Sequence, residues 1–110
     1  MKHELREEAG ATIVSLTGDV DLQHSPEARK ILLQCVEKKQ PVLVDLSGVG
    51  YIDSSGVASL VESLQNARKL GSTLALVAVS DSAKRVLQLA RLDKVFIICE
   101  TIEEGLEKIR

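Results

Sequence analysis

The sequence predicts an α/β fold, one domain over residues 1–110 with a mostly parallel mixed β-sheet and helices packed against it. Three observations carry this. The runs PVLVDL, STLALVAV and KVFIIC are of strand length and nearly continuous in apolar residues, as in strands covered on both faces. Between them apolar residues recur at i, i+3, i+4 and i+7, the spacing of one helical face. With 110 residues, 45% of them hydrophobic, the chain can bury one core. Alternation of this kind calls for parallel strands joined by right-handed crossovers.

In chain order, REEAG reads as a tight reversal after a short first strand, and ATIVSLTG as the strand that returns from it. Ala28, Ile31, Leu32, Cys35 and Val36 then mark the inner face of a helix. After the strand PVLVDL, Val57, Leu60, Val61 and Leu64 repeat the helical spacing. STLALVAV is followed by a helix with Ala83, Val86, Leu87 and Ala90 inward, and KVFIIC by one with Ile102, Leu106 and Ile109 inward. The expected core includes Val14, Leu43, Val44, Leu60, Leu64, Leu76, Val77, Phe96 and Ile97. No linker, repeat or low-complexity segment divides the chain.

Parallel strands deliver their strand-to-helix loops to one edge of the sheet. The stretches GDVDLQHSP, SGVGYIDSS and SDS are therefore expected to lie near one another, and a functional site to lie among them. Asp45 and Ser47 are read as closing a strand, and Asp53, Ser54 and Ser55 as opening a helix. Asp and Ser at that position cap a helix, because their oxygens accept bonds from the unpaired first-turn amides. One cap is enough, so two adjacent serines leave a hydroxyl to account for. A serine at a helix N-terminus can accept a phosphate, whose ~1.5 to 2 negative charges lie near free amides and the positive end of the helix dipole. Gly56, without a side chain, is expected to let a partner approach the backbone.

Several function classes fit poorly. A formal net charge of −2, one Tyr, one Phe and no Trp argue against nucleic-acid binding. The N-terminal MKHELREEAG lacks an apolar signal region, and LALVAV is too short to span a bilayer, so the chain is expected to be cytoplasmic, without membrane insertion. Cys35 and Cys99, far apart and among apolar neighbours, read as buried free thiols. DSSG shares Ser-x-Gly with a hydrolase nucleophile elbow, but Ile52 stands where that motif needs Gly. His3 and His24 are the only histidines, and neither has an evident orienting group. No Gly-Lys-Ser/Thr follows the glycines, and the loop acids Asp19, Asp21 and Asp53 do not by themselves imply a cation. The expectation is a non-enzyme with no cofactor and no metal.

The stretch from VDLSGVGYIDSSG through LDKVFII resembles the STAS domain of anti-sigma factor antagonists, and LTGDVDL resembles that family's Gly-x-hydrophobic-Asp signature. The resemblance covers essentially the whole chain. It implies a protein whose unphosphorylated form binds an anti-sigma factor and releases the sigma factor. It further implies that a serine kinase activity, often the anti-sigma factor's own, phosphorylates Ser54, with a phosphoserine phosphatase as the opposing partner. The expected partner-binding residues are Asp21, Asp53, Ser55, Gly56, Ser59 and Glu62, the last two on the exposed side of the following helix. Val57-Ala58 stands where relatives with the sigma-regulatory role commonly read Leu-Gly. The alternative is an accessory subunit of an ABC-type lipid transport complex, bound to its transporter ATPase.

Overall fold

The computed structural model describes residues 1–109. Five strands and four helices alternate after an initial hairpin: β1 (Lys2–Glu8), β2 (Ala11–Val20), α1 (Ser25–Glu37), β3 (Val42–Ile52), α2 (Ser54–Lys69), β4 (Leu74–Val77), α3 (Asp81–Leu89), β5 (Ile97–Cys99) and α4 (Ile102–Lys108). The strands lie in sequence order across one sheet. β1 runs antiparallel to β2, and the pairs β2/β3, β3/β4 and β4/β5 are parallel, which is the mixed, mostly parallel sheet expected. The reversal at REEAG is a two-residue turn, with Ala9 at φ 53° and Gly10 at φ 80°, the left-handed backbone that suits a tight hairpin.

Side-chain alternation splits the core in two. Val14, Val44 and Leu76, in register on neighbouring strands, join Leu32 of α1, Leu60 of α2 and Leu87 of α3 in the larger cluster. Their sequence neighbours Ile13, Leu43 and Ala75 point the other way and pack with Ile102 and Leu106 of α4. Both faces of the central strands are thus covered, which explains why β4 is buried at all four positions. Eight of the nine expected core residues are buried. Ile97 is the exception, 39% exposed, because β5 is a three-residue edge strand with a neighbour on one side only. Cys35 and Cys99 are buried free thiols, and burial raises the pKa of each.

The second departure bears on the site. Asp45 and Ser47 do not close β3, which runs on to Ile52 and pairs with the Thr17–Val20 end of β2. Asp45 instead marks a shift in register between those strands, its carboxylate accepting from the Ser15 hydroxyl at 3.0 Å and the Ser47 amide at 2.9 Å. The two strands therefore carry α2's starting point beyond the body of the sheet.

Candidate functional site

The site is built where β3 turns into α2. Asp53 is the N-cap of α2, with extended backbone, and one carboxylate oxygen accepts from the Ser55 amide (3.0 Å), the Ser55 hydroxyl (2.5 Å) and the Gly56 amide (3.1 Å). The other oxygen accepts from the Leu22 amide at 3.0 Å, which fastens the loop before α1 to the start of α2. The Ser55 hydroxyl, with the amides of Gly56, Leu22 and Ser55, holds the Asp53 carboxyl below its ordinary range against a smaller effect of burial. Ser54 is the first residue of α2 and is exposed, and its hydroxyl has no partner among the described residues. The two serines therefore differ in role: Ser55 belongs to the cap, and Ser54 faces outward.

The cap narrows the sequence expectation. The Ser55 and Gly56 amides donate to the Asp53 carboxylate and the Val57 amide to the Asp53 carbonyl, so of the first-turn amides only that of Ser54 itself is left for a group added there.

Gly56 is buried, and its clearance is internal. A Cβ there lies 2.3 Å from the Val20 carbonyl oxygen and 2.7 Å from Ile52 Cγ1, so glycine lets the first turn of α2 seat on the ends of β2 and β3. The expectation that Gly56 opens the backbone to a partner is corrected accordingly. Ser59 also departs from expectation. It is buried, its hydroxyl directed at the carbonyl oxygens of Ser25 (3.2 Å) and Ser55 (3.1 Å), and it joins α2 to α1 instead of facing out.

Glu62 is partly exposed and forms a two-point ion pair with Arg29 of α1 through both guanidinium Nε and Nη2. Hydrogen bonding to Arg29 lowers the Glu62 pKa. Asp21, half-buried, accepts from the His24 amide at 3.0 Å and lies 2.7 Å from His24 Nδ1. Burial acts to raise its carboxyl pKa, but the bonds from His24 together outweigh it and the net shift is downward. The third loop arrives at the same edge: Ser80 caps α3 through the Ala83 amide and donates to the Val49 carbonyl at 2.7 Å. No group of three or more metal-ligating side chains forms among the described residues, and no helix is long and apolar enough to cross a membrane.

Between α1 and α2 runs an open groove of about 850 Å³, with Pro26 and Arg29 on one wall and Ser54, Ala58, Glu62 and Gln65 on the other. Sequence reasoning missed two residues here. Arg29 lies 33 positions from Glu62, and only the side-by-side packing of α1 and α2 brings them together. Leu22 is 76% exposed although apolar, with its amide pinned by Asp53. An apolar residue outside the helical period of the next element was its one visible signal.

Residues 2–105 match the STAS domain family. Over 69 residues the chain is 35% identical to a protein of Thermotoga maritima provisionally named an anti-sigma factor antagonist, a match spanning 63% of this chain and 61% of that relative. It is 26% identical over 94 residues to the anti-sigma-B factor antagonist of Bacillus subtilis, covering 86% of each. The fold is that of SpoIIAA, an anti-sigma factor antagonist solved in its unphosphorylated form (TM-score 0.82, 17% identity, 99% of this chain and 96% of that one) and, from Bacillus, in its phosphorylated form (TM-score 0.74, 17% identity, 99% and 100%). With nearly the whole length matched, the chain belongs to the STAS domain family.

Proposed function

We propose that this protein is an anti-sigma factor antagonist controlled by phosphorylation of Ser54. Unphosphorylated, it docks on an anti-sigma factor through the surface around Ser54, including Asp21, Asp53, Leu22 and the rim of the α1–α2 groove, and the sigma factor is released. A serine kinase activity carried by that partner then modifies it. The Ser54 hydroxyl attacks the γ-phosphorus of ATP and loses its proton, and ADP leaves. A phosphoserine phosphatase restores the free hydroxyl.

The observation that carries this reading is the division between the two serines. Asp53 and Ser55 complete the cap, so the exposed Ser54 hydroxyl is not needed for the fold. The names of the relatives support the partner class, and the same fold is known with a phosphate in SpoIIAA. The added dianion lies beside Asp53, and a docking partner has to desolvate both charges together, which opposes binding.

Incubation with the purified anti-sigma factor and ATP, followed by phosphopeptide mapping, tests the assignment. Label is expected on Ser54, lost in Ser54→Ala and kept in Ser55→Ala; the reverse pattern moves the site to Ser55. Titration calorimetry tests the consequence. Equal affinity of the partner for wild type, Ser54→Asp and stoichiometrically phosphorylated protein refutes the proposal and makes the transporter-subunit role the better reading.

A further inference from the structure

We infer that Arg29 is the chain's own receptor for the phosphoryl group on Ser54: its guanidinium leaves Glu62 and pairs with the phosphomonoester across the exposed methyl of Ala58. This rests on Ser54 being the phosphorylated residue.

The need for such a receptor follows from the cap. Phosphate groups at helix N-termini are ordinarily held by unpaired amides. Here the amides of Ser55 and Gly56 donate to one oxygen of Asp53, and the Leu22 amide to the other. A dianion on Ser54 therefore starts beside a carboxylate that has taken those donors, with only the Ser54 amide left among the first-turn N–H groups. Among the residues lining the groove Arg29 is the one cation.

Helix packing places Arg29 and Ser54 on the same groove. The Ser59 hydroxyl on the Ser25 carbonyl and the Arg29–Glu62 pair fix α1 and α2 side by side, with residue numbers rising in the same direction. Ser54, Ala58 and Glu62 fall on one i, i+4, i+8 row of α2, about 12 Å from end to end at 1.5 Å per residue. Side chains on a helix lean toward its N-terminus, so that of Arg29 already leans toward the Ser54 end of the groove. Ala58, exposed and with a single methyl group, leaves the path along the row open. A planar guanidinium pairs bidentately with phosphate as it does with carboxylate, and the phosphoryl group carries ~1.5 to 2 charges against one on Glu62. The charged groups around the phosphoryl group are then Arg29 from α1, Asp53 and Glu62 from α2, and the Asp21–His24 pair from the loop before α1.

Phosphoserine installed at position 54 during translation gives a test that needs no kinase. The second ionisation of the phosphate, ordinarily near pH 6, is followed by ³¹P NMR. The midpoint is expected to lie lower in the otherwise native protein than in Arg29→Gln, by roughly 0.3 to 0.7 pH units, a two- to fivefold change in proton affinity. Glu62→Gln, which releases the guanidinium, is expected to lower it further. Equal midpoints in the native and Arg29→Gln backgrounds overturn the inference. Calorimetry with the anti-sigma factor separates this from the parent proposal. A lowered midpoint with unchanged partner affinity upholds the Arg29 contact and refutes the switch; equal midpoints with lost affinity do the opposite.

Discussion

Replacing Gly56 with alanine tests whether its clearance serves the fold or a partner. The new Cβ lies 2.3 Å from the Val20 carbonyl oxygen, 2.7 Å from Ile52 Cγ1 and 3.0 Å from Val20 Cγ1. The shortest of these is to backbone and cannot be relieved by a rotamer change. Restoring an ordinary carbon–oxygen separation of about 3.3 Å needs α2 and β2 to part by about 1 Å. Overpacking costs about 1–3 kcal/mol, and three contacts at or below 3.0 Å, one of them to backbone, put this site at the upper end; the helix-propensity gain of alanine over glycine offsets at most ~1 kcal/mol, which leaves a loss of about 2–3 kcal/mol. At ~4 °C per kcal/mol for a domain of this size, the melting temperature should fall by several degrees and by no more than about 12 °C. Gly50→Ala is the control, since a Cβ there meets only Asp19 Oδ1 at 3.9 Å. Differential scanning calorimetry of wild type and both variants decides the matter. A Gly56→Ala protein that melts with Gly50→Ala, within about 1 °C of wild type, refutes the internal role and restores the view that Gly56 makes room for a partner.

Ser54→Asp should leave the melting temperature within about 2 °C of wild type, as surface changes generally do, while weakening the anti-sigma factor complex about tenfold or more by calorimetry; a large loss of stability would mean that Ser54 is part of the cap. Asp53 has its pKa lowered in the folded protein, so its charged form contributes stability above the ordinary carboxylate range, about pH 4, and that contribution is lost as pH falls through the lower folded value. Melting temperatures from pH 5 to pH 3 should therefore drop more steeply in wild type than in Asp53→Asn, and parallel curves would refute the role given to the cap. Leu22→Ala, at a site 76% exposed, should weaken partner binding without shifting the thermal transition, and unchanged affinity would remove Leu22 from the docking surface.

The parts of this fold visible in the sequence are those set by local chemistry. Hydrophobic period located the four helices and the strands after the first, the REEAG reversal pointed to β1, whose seven residues are all exposed, and the Asp-Ser-Ser-Gly junction announced a cap because capping acts within three residues. What stayed hidden depended on partners far along the chain. Gly48 and Gly50 look like turn residues, yet they lie inside β3 because its far end pairs with Thr17–Val20. Ser59 looks like a surface position until Ser25, 34 residues earlier, is packed against it. The ion pair of Glu62 with Arg29 has the same origin. Glycine at position 56 is compatible with clearance on either side of the backbone, and only the position of the Val20 carbonyl settles which.

The cap also limits how a modification at Ser54 can act. Asp53 ties the first turn of α2 to the loop before α1, Gly56 seats that turn on β2, and Ser80 ties the third loop to the far end of β3. An edge held at so many points should change in charge more than in shape when a phosphate is added. A purely Coulombic effect on a partner is screened over about 10 Å at 0.1 M salt. If Arg29 also neutralises part of the phosphate, less of that long-range repulsion remains, and the cost of desolvating a paired phosphate in the interface becomes the larger part of the effect. The affinity lost on phosphorylation should then persist at high salt in wild type and become salt-sensitive in Arg29→Gln, a contrast that a change of shape at the edge does not produce.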